Sequence, residues 1–325
     1  MIVGVNCVDG TYPVRSDHLT YGASLAAASG CDAFKVFWSD GYATSDYPLQ
    51  DWSASTPTNL TQLAQTTTMT SVISNFNTIV ANTWTFANGR NNKWVNNWTP
   101  ADDAAEYQEI YNLATWWLAN QPGKTLVIQN WEGDWSLLGS FNEFDSVPAD
   151  RPARMANYLR TRQNAINDAR RGSTSTARVL HGVEVNRCLD DFGARVHRDV
   201  LPHAIPDMVS FSLYEAINAW GTGQTDALAN ITRLFTRARD VVRAHTKGKC
   251  PMYIGEFFWP ETDTGFTSLG LDGGGLCDRV LDLASSMNFW GAFGWNLFDN
   301  ESRGYYVVKP DNTVSSQGAA LRARW

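Results

Sequence analysis

The sequence has few cysteines, and they lie far apart. Its five, Cys7, Cys31, Cys188, Cys250 and Cys277, form no C-x-x-C pair, so a zinc or redox motif is not indicated. An odd count also leaves at least one thiol outside any intramolecular disulfide. In a chain of 325 residues we predict that these cysteines are small buried residues.

Basic residues and long apolar runs are scarce as well. The formal net charge is −7, and no basic cluster provides the footprint of a nucleic-acid-binding surface. No apolar stretch approaches the roughly 20 residues that cross a bilayer, so we predict no membrane partner. Met1 leads directly into the apolar run Ile2–Val5, so a secretory leader is not expected in this chain.

What the chain does contain is a series of short apolar runs, rich in β-branched residues and separated by helical patterns. The predicted strands are Ile2–Asn6, Ala33–Trp38, Thr78–Trp84, Leu126–Asn130, Arg178–Val185, Met208–Leu213, Met252–Glu256 and Phe289–Asn296. Alternating apolar strands and helices indicate a parallel sheet that is buried on both faces. Eight such repeats predict an α/β protein with a closed (β/α)8 barrel.

Helix signals support this alternation. Thr99 is a predicted N-cap, followed by Pro100 at the first helical position and by an acid at Asp102. Further predicted helices are Ala23–Ser29, Arg154–Arg171, Asp190–His203, a helix capped by Thr225, Gly275–Met287 and Ser315–Arg324. A doubly wound open sheet is the rival, but no phosphate-binding glycine motif follows the first strand. No linker interrupts the chain, so we predict one domain over residues 1–325.

Two of the predicted strands end at a glutamate. Thr125–Asp134 reads T-L-V-I-Q-N-W-E-G-D, which places Glu132 after the fourth strand, and Pro251–Trp259 reads P-M-Y-I-G-E-F-F-W, which places Glu256 at the end of the seventh. Functional side chains of such barrels lie where strands end and the following loops begin. We therefore expect Glu132 and Glu256 to face each other across the mouth of the barrel.

The other predicted strand ends carry carboxamides, acids and aromatic residues but no histidine. Because all five histidines fall elsewhere, metal centres and Ser-His-Asp relays have little support, and we predict no metal and no cofactor. Two carboxylates beside tryptophans and carboxamides suit a sugar, whose C–H faces stack on indole rings. Glycosidic bond cleavage needs one acid for the leaving oxygen and a second carboxylate as nucleophile or base.

These motifs resemble the superfamily of retaining (β/α)8 glycoside hydrolases that includes cellulases, β-mannanases and β-galactosidases. Its members have an acid/base glutamate after the fourth strand, usually preceded by asparagine, and a nucleophilic glutamate after the seventh. The resemblance implies that Glu132 is the acid/base and Glu256 the nucleophile. It also implies that Tyr214, in S-L-Y after the sixth strand, contacts the nucleophile and that Trp295 is a sugar platform.

The sequence departs from that pattern at two places. Trp131 separates Asn130 from Glu132, which on an extended strand turns both side chains to the same side. The basic residue that the superfamily often has on its second strand corresponds to Lys35. No single family within the superfamily is assigned.

We therefore predict a retaining glycosidase that binds a poly- or oligosaccharide, acts as a monomer and, given its substrate class, works outside the cell. The predicted substrate-binding residues are Lys35, Trp38, Asn130, Trp131, Asp134, Glu184, Asn186, Tyr214, Trp259, Trp295 and Asn296. Two of these have alternatives: Asp134 could replace Glu132 as the acid, and Glu184 could form a structural ion pair with an arginine or with Lys35.

Two other classes of protein remain open at this point. One is a carbohydrate-binding barrel without catalysis, although both acids are present. The other is a non-glycosidase barrel, such as a lyase or a metal-assisted hydrolase. Retaining and inverting action differ in carboxylate separation, roughly 5–5.5 Å against 6.5–9.5 Å, which the sequence does not reveal.

Overall fold

The computed structural model describes residues 1–90, 92–142, 144–189, 193–218, 227–264 and 270–325. Over these ranges eight parallel strands close into a barrel in which each strand pairs with the next and the last pairs with the first. The strands are β1 Ile2–Asn6, β2 Ala33–Trp38, β3 Thr78–Thr83, β4 Thr125–Gln129, β5 Arg178–Val185, β6 Met208–Ser212, β7 Met252–Phe257 and β8 Gly291–Gly294. The predicted (β/α)8 fold is confirmed.

The first seven strands agree with the sequence prediction to within one residue at each end, whereas the eighth is shorter than predicted. The expected strand Phe289–Asn296 is reduced to Gly291–Gly294. At its far end the N–H of Asn296 donates to the carbonyl of Tyr305. The Asn296 N–H is thus paired with the following loop, while the N–H groups of Trp295 and Leu297 still donate to Phe257 and Asn6 at the ends of β7 and β1.

Helices surround the barrel, and the one with the clearest N-terminal sequence signals, which follows Thr99, begins as predicted. The Thr99 side chain accepts from the N–H of Asp102, and the Asp102 carboxylate accepts from the N–H of Thr99. The helices are α1 His18–Ala28, α2 Leu60–Gln65, α3 Thr67–Ser74, α4 Pro100–Asn120, α5 Gly133–Leu138, α6 Arg151–Arg171, α7 Tyr214–Asn218, α8 Ala227–His245, α9 Gly273–Ser286 and α10 Ser316–Arg322.

One predicted helix is wrong over its described part. Residues 193–203 form a π turn at Val196–Val200 and a 3-10 turn at Leu201–His203 instead of an α-helix. Pro202 lies in the second turn, and its lack of an N–H prevents an α-helical hydrogen bond there. The predicted cap at Thr225 lies outside the described residues.

The inside of the barrel has an apolar layer below a polar layer. The apolar layer consists of Ala33, Val80, Val127, Met208, Tyr253 and Phe293. Side chains on a strand alternate between its two faces, so the residue two positions along faces inward again. On four of these strands that residue is polar and buried: Lys35, Asn82, Gln129 and Ser210. Polar side chains in this enclosed layer need partners, and the layer forms the floor of the site described below.

A buried ion pair joins the end of β3 to the two longest helices. Arg162 Nε lies 2.7 Å from Glu106 Oε1, with both side chains almost fully buried. The guanidinium also donates to the hydroxyl and the carbonyl of Thr83, at 3.0 and 2.8 Å. Asn88 donates to the second oxygen of Glu106 at 2.8 Å. This network holds the loop after β3 against α4 and α6.

Two predictions from composition can be compared with the structure. All five cysteines are buried and unpaired, as expected, and burial raises the pKa of the Cys7 and Cys31 thiols to about 12. A thiol with such a pKa is an unreactive packing group at neutral pH. Among the helices that the structure describes, none is long and apolar enough to span a bilayer.

The Arg162–Glu106 pair yields a stability prediction. Glu106→Gln should lower the free energy of unfolding by about 3–5 kcal/mol, because it leaves a buried guanidinium without its counter-charge. Urea denaturation followed by tryptophan fluorescence measures this. The matched control is Asp150→Asn, which removes the more exposed Arg154–Asp150 pair and should change stability little. Equal stability of the two variants would contradict the role of the buried pair.

Candidate active site

Glu256 reaches the mouth of the barrel because β7 carries a bulge. Phe211 on β6 pairs with Ile254, but the next residue, Ser212, pairs with Glu256, which leaves Gly255 as an extra residue on β7. A bulge of this kind bends a strand and redirects the side chain that follows. The Glu256 carboxylate consequently lies over the polar layer of the barrel.

Gly255 leaves room for the polar groups beneath Glu256. A Cβ at this position would lie 2.0 Å from Ser210 Oγ and 2.2 Å from Glu184 Oε1, so a larger residue does not fit. Its carbonyl accepts from Lys35 Nζ at 3.0 Å. The same ammonium donates to Glu256 Oε1 at 3.1 Å and to Glu184 Oε1 at 3.2 Å.

Both carboxylate oxygens of Glu184 accept hydrogen bonds, and one of these bonds comes from the backbone of Glu132. Its Oε1 also accepts from Gln129 Nε2 at 2.9 Å and from Ser210 Oγ at 2.7 Å. Its Oε2 accepts from the N–H of Glu132 at 2.9 Å. The structural alternative for Glu184, an ion pair with Lys35, is the one observed. Both side chains are fully buried, so the prediction that they contact substrate directly is corrected.

Glu132 does not lie on an extended strand, contrary to expectation. β4 ends at Gln129, and Glu132 caps α5 with a φ of 28°, in a region that side chains disfavour. The predicted common orientation of Asn130 and Glu132 therefore does not apply. Asn130 Oδ1 instead accepts from the N–H of Glu184 at 3.3 Å. Glu132 Oε1 accepts from Ser212 Oγ at 2.8 Å.

The two candidate acids have different electrostatic surroundings. Burial raises the pKa of Glu132 well above its usual value, and the charges of Glu256 and Glu184 raise it further. Burial also raises the pKa of Glu256, to about 8, but the ammonium of Lys35 opposes this shift. Lys35 contacts Glu256 directly and Glu132 does not share that contact. The ammonium therefore favours the ionised form of Glu256, while burial and the neighbouring carboxylates favour the protonated form of Glu132.

Both acids line one open cavity of about 720 Å³ at the carboxyl ends of the strands. Its other lining residues are Trp131, Trp135, Phe141, Asn142, Phe144, Asn186, Arg187, Tyr214, Glu215, Trp295, Glu301, Arg303 and Tyr305. A second cavity of about 560 Å³ lies next to it and shares Trp131, Trp135, Phe141, Trp295 and Glu301. The two cavities therefore adjoin and form one cleft, with Trp131 and Trp295 at the junction.

Four predicted substrate-binding residues do line the cavity: Trp131, Asn186, Tyr214 and Trp295. The Tyr214 hydroxyl has no hydrogen-bond partner within the described ranges. Burial and the nearby charge of Glu256 raise the pKa of Tyr214, so this phenol stays protonated. It is therefore a free donor beside Glu256.

Two tryptophans predicted to bind substrate lie away from both cavities. Trp38 and Trp259 are completely buried and neither lines either cavity. Alternation along β2 explains the first error, because Lys35 and Phe37 face inward while Trp38 faces the helices. Phe37 lines the second cavity. Trp259 packs near α10, where Gln317 hydrogen-bonds to both its N–H and its carbonyl.

Three polar residues predicted to bind substrate line neither cavity, and two of them, Asp134 and Asn296, serve the fold. Asp134 is fully buried and accepts from the N–H groups of Asn186, Arg187 and Val196 at 2.8–3.0 Å, so it does not replace Glu132. Asn296 is also fully buried and donates to the carbonyl of Val8 at 2.7 Å. Asn130, bound to the backbone of Glu184, lines neither cavity.

Several lining residues were absent from the prediction. Trp135, Phe141, Phe144, Arg187, Glu301 and Arg303 all belong to segments that follow strands. Trp135 lies four residues after Trp131 in W-E-G-D-W, and Glu301 lies five residues after Asn296, the predicted end of the eighth strand. A longer window after each strand would have found these two. No pattern in the sequence marks Phe141 or Phe144.

No family model matches this sequence, and no curated protein matches it either. Solved structures do match over the whole chain. A GH5_18 protein from Streptomyces cattleya, solved as a variant in complex with Manb1-4GlcNAc, is 15% identical, with 100% of this chain and 80% of that chain covered and a TM-score of 0.63. This structure shares the barrel fold of the chain.

Two further structures agree. A family 5 xyloglucanase from Paenibacillus pabuli in complex with a ligand is 14% identical, covering 100% of this chain and 98% of that chain, with a TM-score of 0.60. A GH5 xyloglucan-specific endo-beta-1,4-glucanase from a metagenomic library, in complex with cellotriose, is 13% identical, covering 99% and 96%, with a TM-score of 0.54. At these identities the likeness concerns the fold, and on that level the resemblance inferred from the sequence is confirmed.

The floor of the site predicts opposite effects of two substitutions on one carboxyl group. Lys35→Met removes a positive charge and should raise the pKa of Glu256, whereas Glu184→Gln removes a negative charge and should lower it, each by about 1–3 units. A ¹³C NMR titration of the glutamate side-chain carboxyls measures both. The control is Lys93→Met, which removes an exposed ion pair with Asp102 and should leave Glu256 unchanged. Shifts of the same sign in the two floor variants would contradict this account.

Proposed function

We propose that this protein is a glycoside hydrolase that cleaves glycosidic bonds with retention of configuration. The observation that carries the proposal is that Glu132 and Glu256 line one cavity but differ in charge environment. Lys35 favours the ionised form of Glu256, while burial and two neighbouring carboxylates favour the protonated form of Glu132. An ionised and a protonated carboxyl in one cavity are the pair that glycosidic bond cleavage needs, and the resemblance to retaining hydrolases favours the double displacement.

In the first step Glu256 attacks the anomeric carbon and forms a glycosyl-enzyme ester. The bond from that carbon to the leaving oxygen breaks, and Glu132 gives its proton to this oxygen. After this step Glu132 carries the negative charge and Glu256 is an uncharged ester, which reverses the starting charges of the two side chains. Ser212 Oγ, which donates to Glu132 at 2.8 Å, stabilises the Glu132 carboxylate produced in this step.

In the second step Glu132 accepts a proton from a water molecule, and the resulting hydroxyl attacks the anomeric carbon. The ester bond breaks, Glu256 leaves as a carboxylate, and Lys35 is in place to neutralise it. The Tyr214 hydroxyl, a protonated donor at the cavity wall, is available to the sugar or to the ester oxygen. The enzyme returns to its starting protonation state.

The class of substrate we propose is a β-linked poly- or oligosaccharide. The cavity that contains both carboxylates adjoins a second cavity, and Trp131, Trp135 and Trp295 line both. The Manb1-4GlcNAc and cellotriose bound in the structures of similar fold support β-linkages. A panel of β-mannan, xyloglucan and cellulose fragments, with product configuration followed by NMR, identifies the sugar.

The proposal gives separate outcomes for the two acids. Glu132→Ala should lower kcat/KM by about 10²–10⁴-fold, and Glu256→Ala should reduce turnover to background. With an activated aryl glycoside, azide should restore turnover in both variants. It should yield the azide of retained configuration with Glu132→Ala and of inverted configuration with Glu256→Ala, because azide replaces water in one case and the nucleophile in the other.

Asp282→Asn, a change at an exposed ion pair on α9, is the control and should keep full activity. Full activity in either glutamate variant would contradict the assignment. An inverted product from the unmodified enzyme would contradict the retaining mechanism.

The pH dependence of kcat/KM should be bell-shaped. Activity falls at low pH as Glu256 becomes protonated and at high pH as Glu132 loses its proton. Because the pKa of Glu256 is raised by burial, the acid limb should lie above the usual glutamate value of about 4.3. A pH series of initial rates with a soluble substrate measures both limbs. Lys35→Met should move the acid limb to higher pH, and an acid limb that does not move would contradict the assignment of Glu256.

A further inference from the structure

Two phenylalanines at the rim of the active-site cavity are largely exposed. Phe141 has 74% and Phe144 has 71% of its surface accessible to solvent, and both line the cavity that contains Glu132 and Glu256. Single exposed apolar residues are common on protein surfaces. Two large rings at the edge of one functional cavity form a patch, and such patches mark binding sites.

Phe141 extends an aromatic wall that begins beside the acid, and Phe144 lines the same cavity. Phe141 makes an edge contact with Trp131, with ring centroids 6.1 Å apart, and lies 6.1 Å from the ring of Trp135. Trp131 precedes Glu132 directly, and Trp135 lies on α5, whose cap is Glu132. The wall is therefore built from the segment that positions the proton donor.

Polar and charged side chains line this cavity as well. Asn186, Arg187 and Glu215 line the same cavity. Glu215 accepts from the N–H groups of Cys188 and Leu189, which fixes its carboxylate in place. A site with aromatic rings on one wall and charged or amide groups elsewhere suits a molecule with both C–H faces and hydroxyl groups. A purely apolar group would leave those polar side chains desolvated without partners.

We propose that Trp131, Trp135, Phe141 and Phe144 form a binding site for a sugar unit of the leaving group. This inference rests on the proposed function and deepens it. Glu132 protonates the leaving oxygen, so the sugar attached to that oxygen lies next to Glu132 and to the wall that continues from it. Its C–H face stacks on the aromatic rings, and its hydroxyls face the polar residues of the same cavity.

The test compares substrates that do and do not place a group at this wall. The double variant Phe141→Ala/Phe144→Ala should lose about 10- to 100-fold in kcat/KM on the β-linked oligosaccharide that the panel shows to be cleaved fastest. On the glycosyl fluoride of the same donor sugar its kcat/KM should stay within about twofold of the parent, because fluoride makes no contact with the wall. An alkyl glycoside of the same sugar provides the arm with an apolar leaving group.

Val14→Ala/Val314→Ala is the matched control, because it truncates two other exposed apolar residues and should change neither substrate. Equal losses on the oligosaccharide and the fluoride would overturn the proposal, as would no loss on either. A larger loss on the alkyl glycoside than on the oligosaccharide would also overturn it, by assigning the wall to an apolar group.

Failure of the proposed function and failure of the binding-site inference give different experimental results. If the parent enzyme cleaves neither substrate, the proposed function fails and this inference fails with it. If it cleaves both but the double variant behaves like the parent, this inference alone is wrong. Thermal unfolding of each variant shows whether it is folded, and the fluoride reaction shows that its catalytic acids are still in place.

Discussion

The buried ammonium of Lys35 holds the floor of the active site together. It lies between the carboxylates of Glu184 and Glu256 at hydrogen-bonding distance from both. Burial alone would disfavour its charge, but the two carboxylates outweigh burial and raise the pKa of Lys35. The three residues come from β2, β5 and β7, which are distant in the chain, so the network forms only when the barrel has closed. Two adjacent carboxylates in this enclosed space would repel each other without the ammonium.

The same ion network makes the two acids of the cavity unequal. Lys35 contacts one of them, and Glu184 links to the other only through the backbone N–H of Glu132. One carboxyl therefore sits beside a full positive charge and the other beside a serine hydroxyl. Local geometry supports this difference: a bulge at Gly255 brings Glu256 over the ammonium, and a positive φ at Glu132 turns that residue out of β4. Both residues are glutamates, so the difference between them comes from their surroundings.

The sequence was sufficient for the fold and for the two acids, and insufficient for the walls of the cleft. Apolar runs that end in acids are local patterns, and they survive in the structure as β4 and β7. The inward direction of Lys35 also follows from strand alternation, which would have placed Trp38 against the helices had it been applied there. The partners of Glu184 come from four other strands or loops, and such long-range pairing is invisible in a linear pattern. The rim, which contains Phe141 and Phe144, is harder to predict from the sequence, because exposed residues do not follow the periodicity of buried ones.

The floor and the rim of this cleft are built by different kinds of sequence. The floor is made of strand residues packed inside the barrel, where almost any substitution disturbs a neighbour, as the close approach at Gly255 illustrates. Phe141 and Phe144 of the aromatic rim lie in the segment after α5, whose side chains are mostly exposed to solvent. Mutations can therefore accumulate at the rim without disturbing the interior. We therefore expect a laboratory library over this segment to change substrate preference while leaving the proposed reaction the same.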